Sequence, residues 1–97
     1  MAASAPLPAH SWTFLTNHAH VLVCLARDPA MRMRDLADLV GITERAVQRI
    51  VHDLIDGGYL RVTKDGRRNH YAVNDRQPLR HAVEAHRSVR DLLNLLR

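Results

Sequence analysis

The stretch from residue 43 to residue 73 constrains the fold more than any other part of this sequence. An amphipathic segment ends at Gly57-Gly58, and two alternating segments joined by Asp65-Gly66 follow it directly. Asp-Gly between alternating segments is the strongest short-range signal for a β-hairpin. The sequence therefore predicts an α+β fold, mostly α, in which a helix runs straight into a hairpin.

The amphipathic segment has a helical pattern. Thr43 is a good N-cap, and Glu44 places a negative charge in the first turn, where it suits the helix dipole. The apolar positions recur at helical spacing and predict a core-facing stripe: Val47, Ile50, Val51, Leu54 and Ile55. The opposite face is polar and carries Glu44, Arg45, Gln48, Arg49, His52, Asp53 and Asp56.

The two alternating segments predict the register of the hairpin. A two-residue turn at Asp65-Gly66 pairs Lys64 with Arg67, Val62 with Asn69, and Leu60 with Tyr71. Because strand side chains alternate, one face then carries Leu60, Val62, Tyr71 and Val73. Arg61, Thr63, Arg68 and His70 lie on the other face.

Two shorter helices are predicted before this stretch. Thr16 caps a helix from Asn17 to about Arg27, and a second helix runs from about Arg34 to Val40, where Gly41 stops it. Trp12, Phe14 and Leu15 supply further apolar mass. Residues 1–10, rich in small residues and proline, are expected to form a flexible arm, and residues 11–77 one domain.

The C-terminal segment, residues 78–97, is predicted to be a dimerisation helix. Pro78 suits a first helical turn, and the helix is expected to reach about Leu96. Apolar residues at alternating spacings of four and three form a heptad-like seam with more apolar surface than one neighbour can hide. The residues predicted to pair with a second copy are Leu79, Ala82, Val83, His86, Val89, Leu92, Leu93 and Leu96.

Charge and cysteine content limit the function classes. The 97 residues carry a net charge of +4, with thirteen of the fourteen basic residues being Arg, and the excess lies in residues 41–97. Arg makes bidentate contacts to phosphate and guanine, so this composition permits nucleic-acid binding. The chain has no apolar run long enough for a membrane span and no secretory signal. A single cysteine, Cys24, excludes an intrachain disulfide and fits the cytoplasm.

The order of helices, glycine turn and hairpin resembles a winged helix-turn-helix domain with an added C-terminal helix. Residues 36–43, LADLVGIT, resemble the LA-x-x-x-G-(I/L/V)-(S/T) pattern of bacterial regulators. Residues 46–54, followed by Gly58-Tyr59-Leu60, resemble their recognition helix and its exit. The chain is similar to MarR-like and ArsR-like transcriptional regulators. It is too short for the two long dimerisation helices of ordinary MarR members, and it lacks the Cys pair of metal-sensing ArsR members.

The resemblance implies a sequence-specific regulator of double-stranded DNA that acts as a homodimer. Helix 43–56 would enter the major groove, and the wing, residues 60–73, would contact the backbone or the minor groove. The outward residues at the start of the helix are the ones that can reach base edges, and the basic wing tip suits phosphates. The predicted DNA-binding residues are Thr43, Glu44, Arg45, Gln48, Arg49, His52, Lys64, Arg67, Arg68 and Asn69.

Two other functions remain open at this level. The polar face of the helix could meet a partner protein instead of DNA. His20 and Cys24, four residues apart on one helix, could belong to a metal- or redox-responsive regulator, although the sequence guarantees only two ligands on any face. No phosphate-binding loop, HExxH or nucleophile elbow occurs, so we predict neither an enzyme nor a cofactor, and we assign no metal site or effector.

Overall fold

Three helices and a hairpin form the body of the protein, as the sequence predicts. The computed structural model describes residues 11–97. Its elements are α1 (Asn17–Arg27), α2 (Met33–Val40), α3 (Glu44–Asp56), β1 (Leu60–Asp65), β2 (Arg68–Val73) and α4 (Val89–Leu95). The starts of α1 and α3 are fixed by hydroxyl caps. Thr16 Oγ1 accepts a hydrogen bond from the Ala19 N–H, and Thr43 Oγ1 accepts one from the Ala46 N–H.

The core lies between α1, α2 and α3 and extends under the base of the hairpin. The inward faces of these helices are apolar, so they are removed from water where the helices meet. The largest fully buried side chains are Leu25, Leu36, Val21, Val47 and Val89. Leu60 and Tyr71 close the core from the hairpin side. The predicted stripe of α3 is confirmed: Val47, Ile50, Val51 and Leu54 are buried, and Ile55 packs against them half-buried.

The hairpin forms, but the predicted register is wrong by two residues. Lys64 lies opposite Asn69 and Asp65 opposite Arg68, so the turn residues are Gly66 and Arg67. The predicted register would have placed Val73 opposite Gly58, but the backbone there is committed to ending α3. Gly58 has a φ of 83°, and the next residue, Tyr59, donates its N–H to Leu54 O.

A shift of two residues leaves every side chain on its predicted face, because the strand period is two. Leu60 and Tyr71 are buried and Val73 is half-buried, as expected for the core face. Val62 remains 39% exposed, since the wing extends beyond the helices that could cover it. The predicted outer face, with Arg61, Thr63, Arg68 and His70, is exposed.

The predicted helix over residues 78–96 is wrong in its first half. Residues 79–88 form a looped segment of turns, and α4 begins only at Val89. Pro78 and Ser88 face each other in an isolated antiparallel bridge, and the Leu79 N–H donates to Arg87 O, so the ends of the loop meet. Ser88 then starts α4 with a capping box, accepting from the Asp91 N–H while the Asp91 carboxylate accepts from the Ser88 N–H.

The predicted heptad seam is therefore not a continuous helical face. Ala82, Val83 and His86 lie exposed in the loop. Val89 is 1% exposed inside the core of its own chain, so a second copy has no access to it. Leu79 and Leu93 pack half-buried against the same core, and Leu92 and Leu96 are half-buried. Ser88 caps α4, whose first residue, Val89, enters the core, and the bridge between Pro78 and Ser88 closes the loop before it.

Candidate nucleic-acid interface

The turn between α2 and α3 positions the candidate interface. α2 ends at Gly41, whose φ of 84° lies in the left-handed region that favours glycine. The N–H groups of Gly41 and Ile42 both donate to Ala37 O, which closes the end of α2. Only three residues, Gly41 to Thr43, separate α2 from α3, so the turn between the two helices is tight. This arrangement leaves the N-terminal half of α3 projecting at the surface.

The outward face of α3 presents polar side chains that are free to bind a ligand. Glu44, Arg45, Gln48 and Arg49 are all exposed. Within residues 11–97, none of these four side chains makes a hydrogen bond or an ion pair with the rest of the protein. Side chains without internal partners can reach the edges of bases without first breaking contacts.

Two predicted residues of this helix have internal contacts. The Thr43 hydroxyl accepts the hydrogen bond from Ala46 N at 3.1 Å that starts α3. His52 lies further along the helix, with Nε2 3.4 Å from Asp56 Oδ2, and both side chains are well exposed. Thr43 therefore lies at the start of the predicted face, and His52 lies in its C-terminal half.

The wing tip carries the second group of predicted residues. Lys64, Arg67, Arg68 and Asn69 are exposed around the turn. Gly66, with a φ of 65°, occupies the first of the two turn positions, and Asp65 pairs with Arg68 across the ladder. Asn69 donates through Nδ2 to the Tyr71 hydroxyl at 3.4 Å. The corrected register therefore places Arg67 at the very tip of the wing.

Sequence reasoning missed Arg32 as a neighbour of the wing. Arg32 is the N-cap residue of α2, and its side chain makes no capping hydrogen bond. It lines a shallow recess of about 380 Å³ together with Arg67 and Arg68. Only the tertiary structure brings these arginines together, since they are separated along the chain by two helices and a strand. Three guanidinium groups around one recess favour an anionic partner.

The predicted dimerisation residues lie in the C-terminal segment, apart from this interface. The recess beside the wing is lined by residues 30–33, 67–69 and 71, and none of the predicted dimerisation residues is among them. Sequence position does not reveal that the predicted dimerisation residues are divided between a loop and α4.

Cys24 and the histidines do not form a metal centre in the part of the chain that the structure describes. No three His, Cys, Asp or Glu side chains converge within residues 11–97. Cys24 is buried, and burial raises the pKa of its thiol above the usual 9.0, an effect that nearby Arg27 only partly offsets. A buried thiol with a raised pKa is a poor nucleophile and a poor redox sensor.

The family follows from a comparison with protein-family models. The model described as MarR family matches residues 13–68, which span α1, α2, α3, β1 and the wing turn. The chain belongs to the MarR family. The predicted resemblance to MarR-like regulators is thereby confirmed, as is the winged helix-turn-helix fold. No curated protein matches the sequence.

Solved structures of MarR-like regulators support the same fold. The AntR antimony-specific transcriptional repressor matches with 28% identity and a TM-score of 0.54, over 79% of this chain and 60% of that protein. The zinc-dependent MarR family transcriptional regulator AdcR, in its Zn(II)-bound state, matches with 24% identity and a TM-score of 0.50. That match covers 70% of this chain and 49% of AdcR. This MarR-family chain thus spans about half to three fifths of the length of the two proteins.

None of the four helices within residues 11–97 has the length and apolar character that crossing a bilayer requires.

Proposed function

We propose that this MarR-family protein is a transcriptional regulator that binds double-stranded DNA in a sequence-specific manner. The observation that supports this most strongly is the exposed polar face of α3, whose Glu44, Arg45, Gln48 and Arg49 have no internal partner within residues 11–97. A major groove about 12 Å wide admits a helix, and the negative phosphates on either side suit the cations of the wing. The named functions of AntR and AdcR, a transcriptional repressor and a transcriptional regulator, point the same way.

The roles of individual residues follow from their chemistry. Gln48 can pair bidentately with adenine, and Arg45 or Arg49 with guanine, while Glu44 can accept a hydrogen bond from the amino group of cytosine. Arg67 and Arg68 would contact phosphates or the adjacent minor groove. Thr43 fixes the start of the helix, and the remaining predicted residues, His52, Lys64 and Asn69, would contact the backbone at the edges of the interface.

We also propose that the protein acts as a homodimer in the bacterial cytoplasm. The C-terminal segment leaves Val83 and Leu95 exposed at 75% and 78%, and exposed apolar surface is typical of interfaces. Two-fold pairing would make the operator an inverted repeat with half-sites about one helical turn apart. A single free thiol, Cys24, suits a reducing compartment.

Selection of bound duplexes from a random pool tests the proposal most directly. We expect an enriched site with two-fold symmetry, and binding to it that weakens steeply as salt rises. The control is the double variant Arg45→Ala with Gln48→Ala, which should enrich sites that have lost their preference at the base positions these two side chains would read. If the parent also enriched none, the protein would not be a sequence-specific regulator.

The main alternative is a winged helix that binds a partner protein through α3. It predicts no duplex binding, and binding to the partner protein that depends little on salt, because no condensed counterions are released from DNA. The wing arginines, which have no side-chain partner within residues 11–97, favour DNA over this alternative. A metal- or redox-responsive function has less support, given the buried position of Cys24.

A further inference from the structure

A groove opens on the side of the molecule where the C-terminal segment crosses α1 and the end of α3. Its volume is about 760 Å³, within the range of pockets that bind small organic molecules. The floor consists of apolar side chains from all three elements, including Leu22, Leu54, Val89 and Leu92. Residues 79–88 form a loop that contributes Leu79, Arg80 and Glu84 to the lining of the groove.

Two aromatic side chains line the groove. Phe14 is 91% exposed, and its ring meets Trp12 edge to face with the ring centroids 4.9 Å apart. Tyr59 is half-buried and donates its hydroxyl hydrogen bond to Pro78 O, which fixes the ring at the start of the loop. Aromatic faces attract organic cations through the ring quadrupole. The wall chemistry therefore suits a ligand with an apolar body and a positive charge.

The charges around the groove have the opposite sign to the protein as a whole. Asp53, Asp56 and Glu84 supply three carboxylates, and Arg80 supplies one guanidinium. His18 also lines the groove, where its ring hydrogen-bonds to Asp53. The complete chain carries a net charge of +4, so a negative groove is not explained by average composition. An anion would meet three carboxylates here, whereas a cation would be attracted.

From these observations we propose that the groove binds a small organic cation with an aromatic or otherwise apolar body. The apolar floor would remove the body from water, and Phe14 and Tyr59 would face its charge. Asp56 and Glu84 are exposed carboxylates in the lining of the groove, and Asp56 Oδ2 also lies 3.4 Å from His52 Nε2. This inference does not depend on DNA binding, because the groove lies away from the arginines of the wing.

Tetraphenylphosphonium and tetraphenylborate test the proposal, because they have the same shape and opposite charge. Calorimetric titration of the full chain without DNA should give a dissociation constant for the cation about tenfold lower than for the anion. The fluorescence of Trp12, the only tryptophan, should change with the cation, because Trp12 contacts Phe14. Equal binding of both ions, or tighter binding of the anion as the net charge would favour, overturns the proposal.

Substitutions that remove either negative or positive charges from the lining of the groove give a second test. The double variant Asp56→Asn with Glu84→Gln should weaken cation binding about tenfold, and Arg80→Gln should strengthen it several-fold. Asp38→Asn, an exposed carboxylate on α2 outside the groove, is the matched control and should change nothing. Phe14→Ala should weaken binding about threefold through the lost aromatic wall. If the charge variants leave cation binding unchanged, the cation binds elsewhere and the proposal fails.

A second copy of this chain is the competing occupant of the groove. In that case tetraphenylphosphonium would not bind, and sedimentation would show a dimer that Phe14→Glu dissociates. This pair of results would also overturn the proposal. DNA binding is measured separately, so neither outcome would alter the proposed regulatory function.

Discussion

His18 on α1 and Asp53 on α3 meet across the surface, with His18 Nε2 2.9 Å from Asp53 Oδ2. The residues are 35 positions apart in the sequence, so the contact exists only in the folded chain. The hydrogen bond from His18 is the main cause that holds the pKa of the Asp53 carboxyl below its usual 3.8, and burial opposes it. The contact joins α1 to α3, the helix whose polar face would contact the DNA bases.

The Asp53 carboxylate should make stability depend on acid pH. Because its folded-state pKa is lowered, its contribution is present above about 3.8 and is lost as the pH falls below that value. Thermal unfolding followed from about pH 6 to about pH 3 should show a smaller loss of Tm in Asp53→Asn than in the parent. Asp38→Asn, on α2, is the control and should follow the parent. Identical acid profiles for Asp53→Asn and the parent would contradict the role of the His18 contact.

The capping box at the start of α4 should contribute measurably to stability. Ser88→Ala removes the hydroxyl that accepts from the Asp91 N–H, and we expect a loss of about 1 kcal/mol in the free energy of unfolding. Ser88→Thr keeps the hydroxyl and should restore most of that loss. Urea denaturation measures both variants. An unchanged midpoint for Ser88→Ala would show that Val89 alone fixes the start of the helix.

The polar face of α3 leads to a prediction about sequence preference. Arg45→Ala and Gln48→Ala should each weaken binding to the selected operator by roughly 1–3 kcal/mol and relax preference at one base position. Both side chains are exposed and without internal partners among the described residues, so the folded protein should keep its Tm. Fluorescence anisotropy against operator and point-substituted duplexes gives the values. If both variants bound the operator as tightly as the parent, α3 would not lie in the major groove of the DNA.

The wing makes a different prediction, about salt. Arg67→Ala, Arg68→Ala and Arg32→Ala should each weaken binding to all duplexes similarly and lower the salt slope by about one unit. Arg76→Ala, an exposed arginine beyond the hairpin, is the matched control. A wing variant that alters sequence preference while keeping the parental slope would contradict the phosphate contacts.

Substitutions at two leucines of α4 should distinguish an effect on folding stability from an effect on dimerisation. Leu93 packs against the core, so Leu93→Glu should destabilise the fold by about 2 kcal/mol or more. Leu95 is exposed, so Leu95→Glu should change stability by no more than about 0.5 kcal/mol while weakening dimerisation and operator binding. Urea denaturation and sedimentation measure the two effects. A parent that sediments as a monomer with and without DNA would end the dimer proposal.

The local elements of this protein could be predicted from its sequence because short-range chemistry fixes them. Thr16 and Thr43 cap their helices with their own hydroxyl groups, and Gly41 supplies the left-handed turn that separates α2 from α3. The alternation of the hairpin fixed which side chains face the core, even though the register was displaced by two. The polar face of α3 could be identified for the same reason, since helical periodicity alone defines it.

Features that join distant parts of the chain were decided only by the tertiary structure. The hairpin register depends on where α3 ends, because the N–H groups of Gly58 and Tyr59 are held by the end of the helix, while Tyr59 O accepts from the Asn74 N–H just after β2. Residues 79–88 have an apolar pattern compatible with a helix, but their ends meet at Pro78 and Ser88, and Val89 is drawn into the core. Arg32 joins the wing arginines, and the acidic groove forms, through contacts between separate elements. Sequence periodicity describes one element at a time, whereas burial depends on which elements meet.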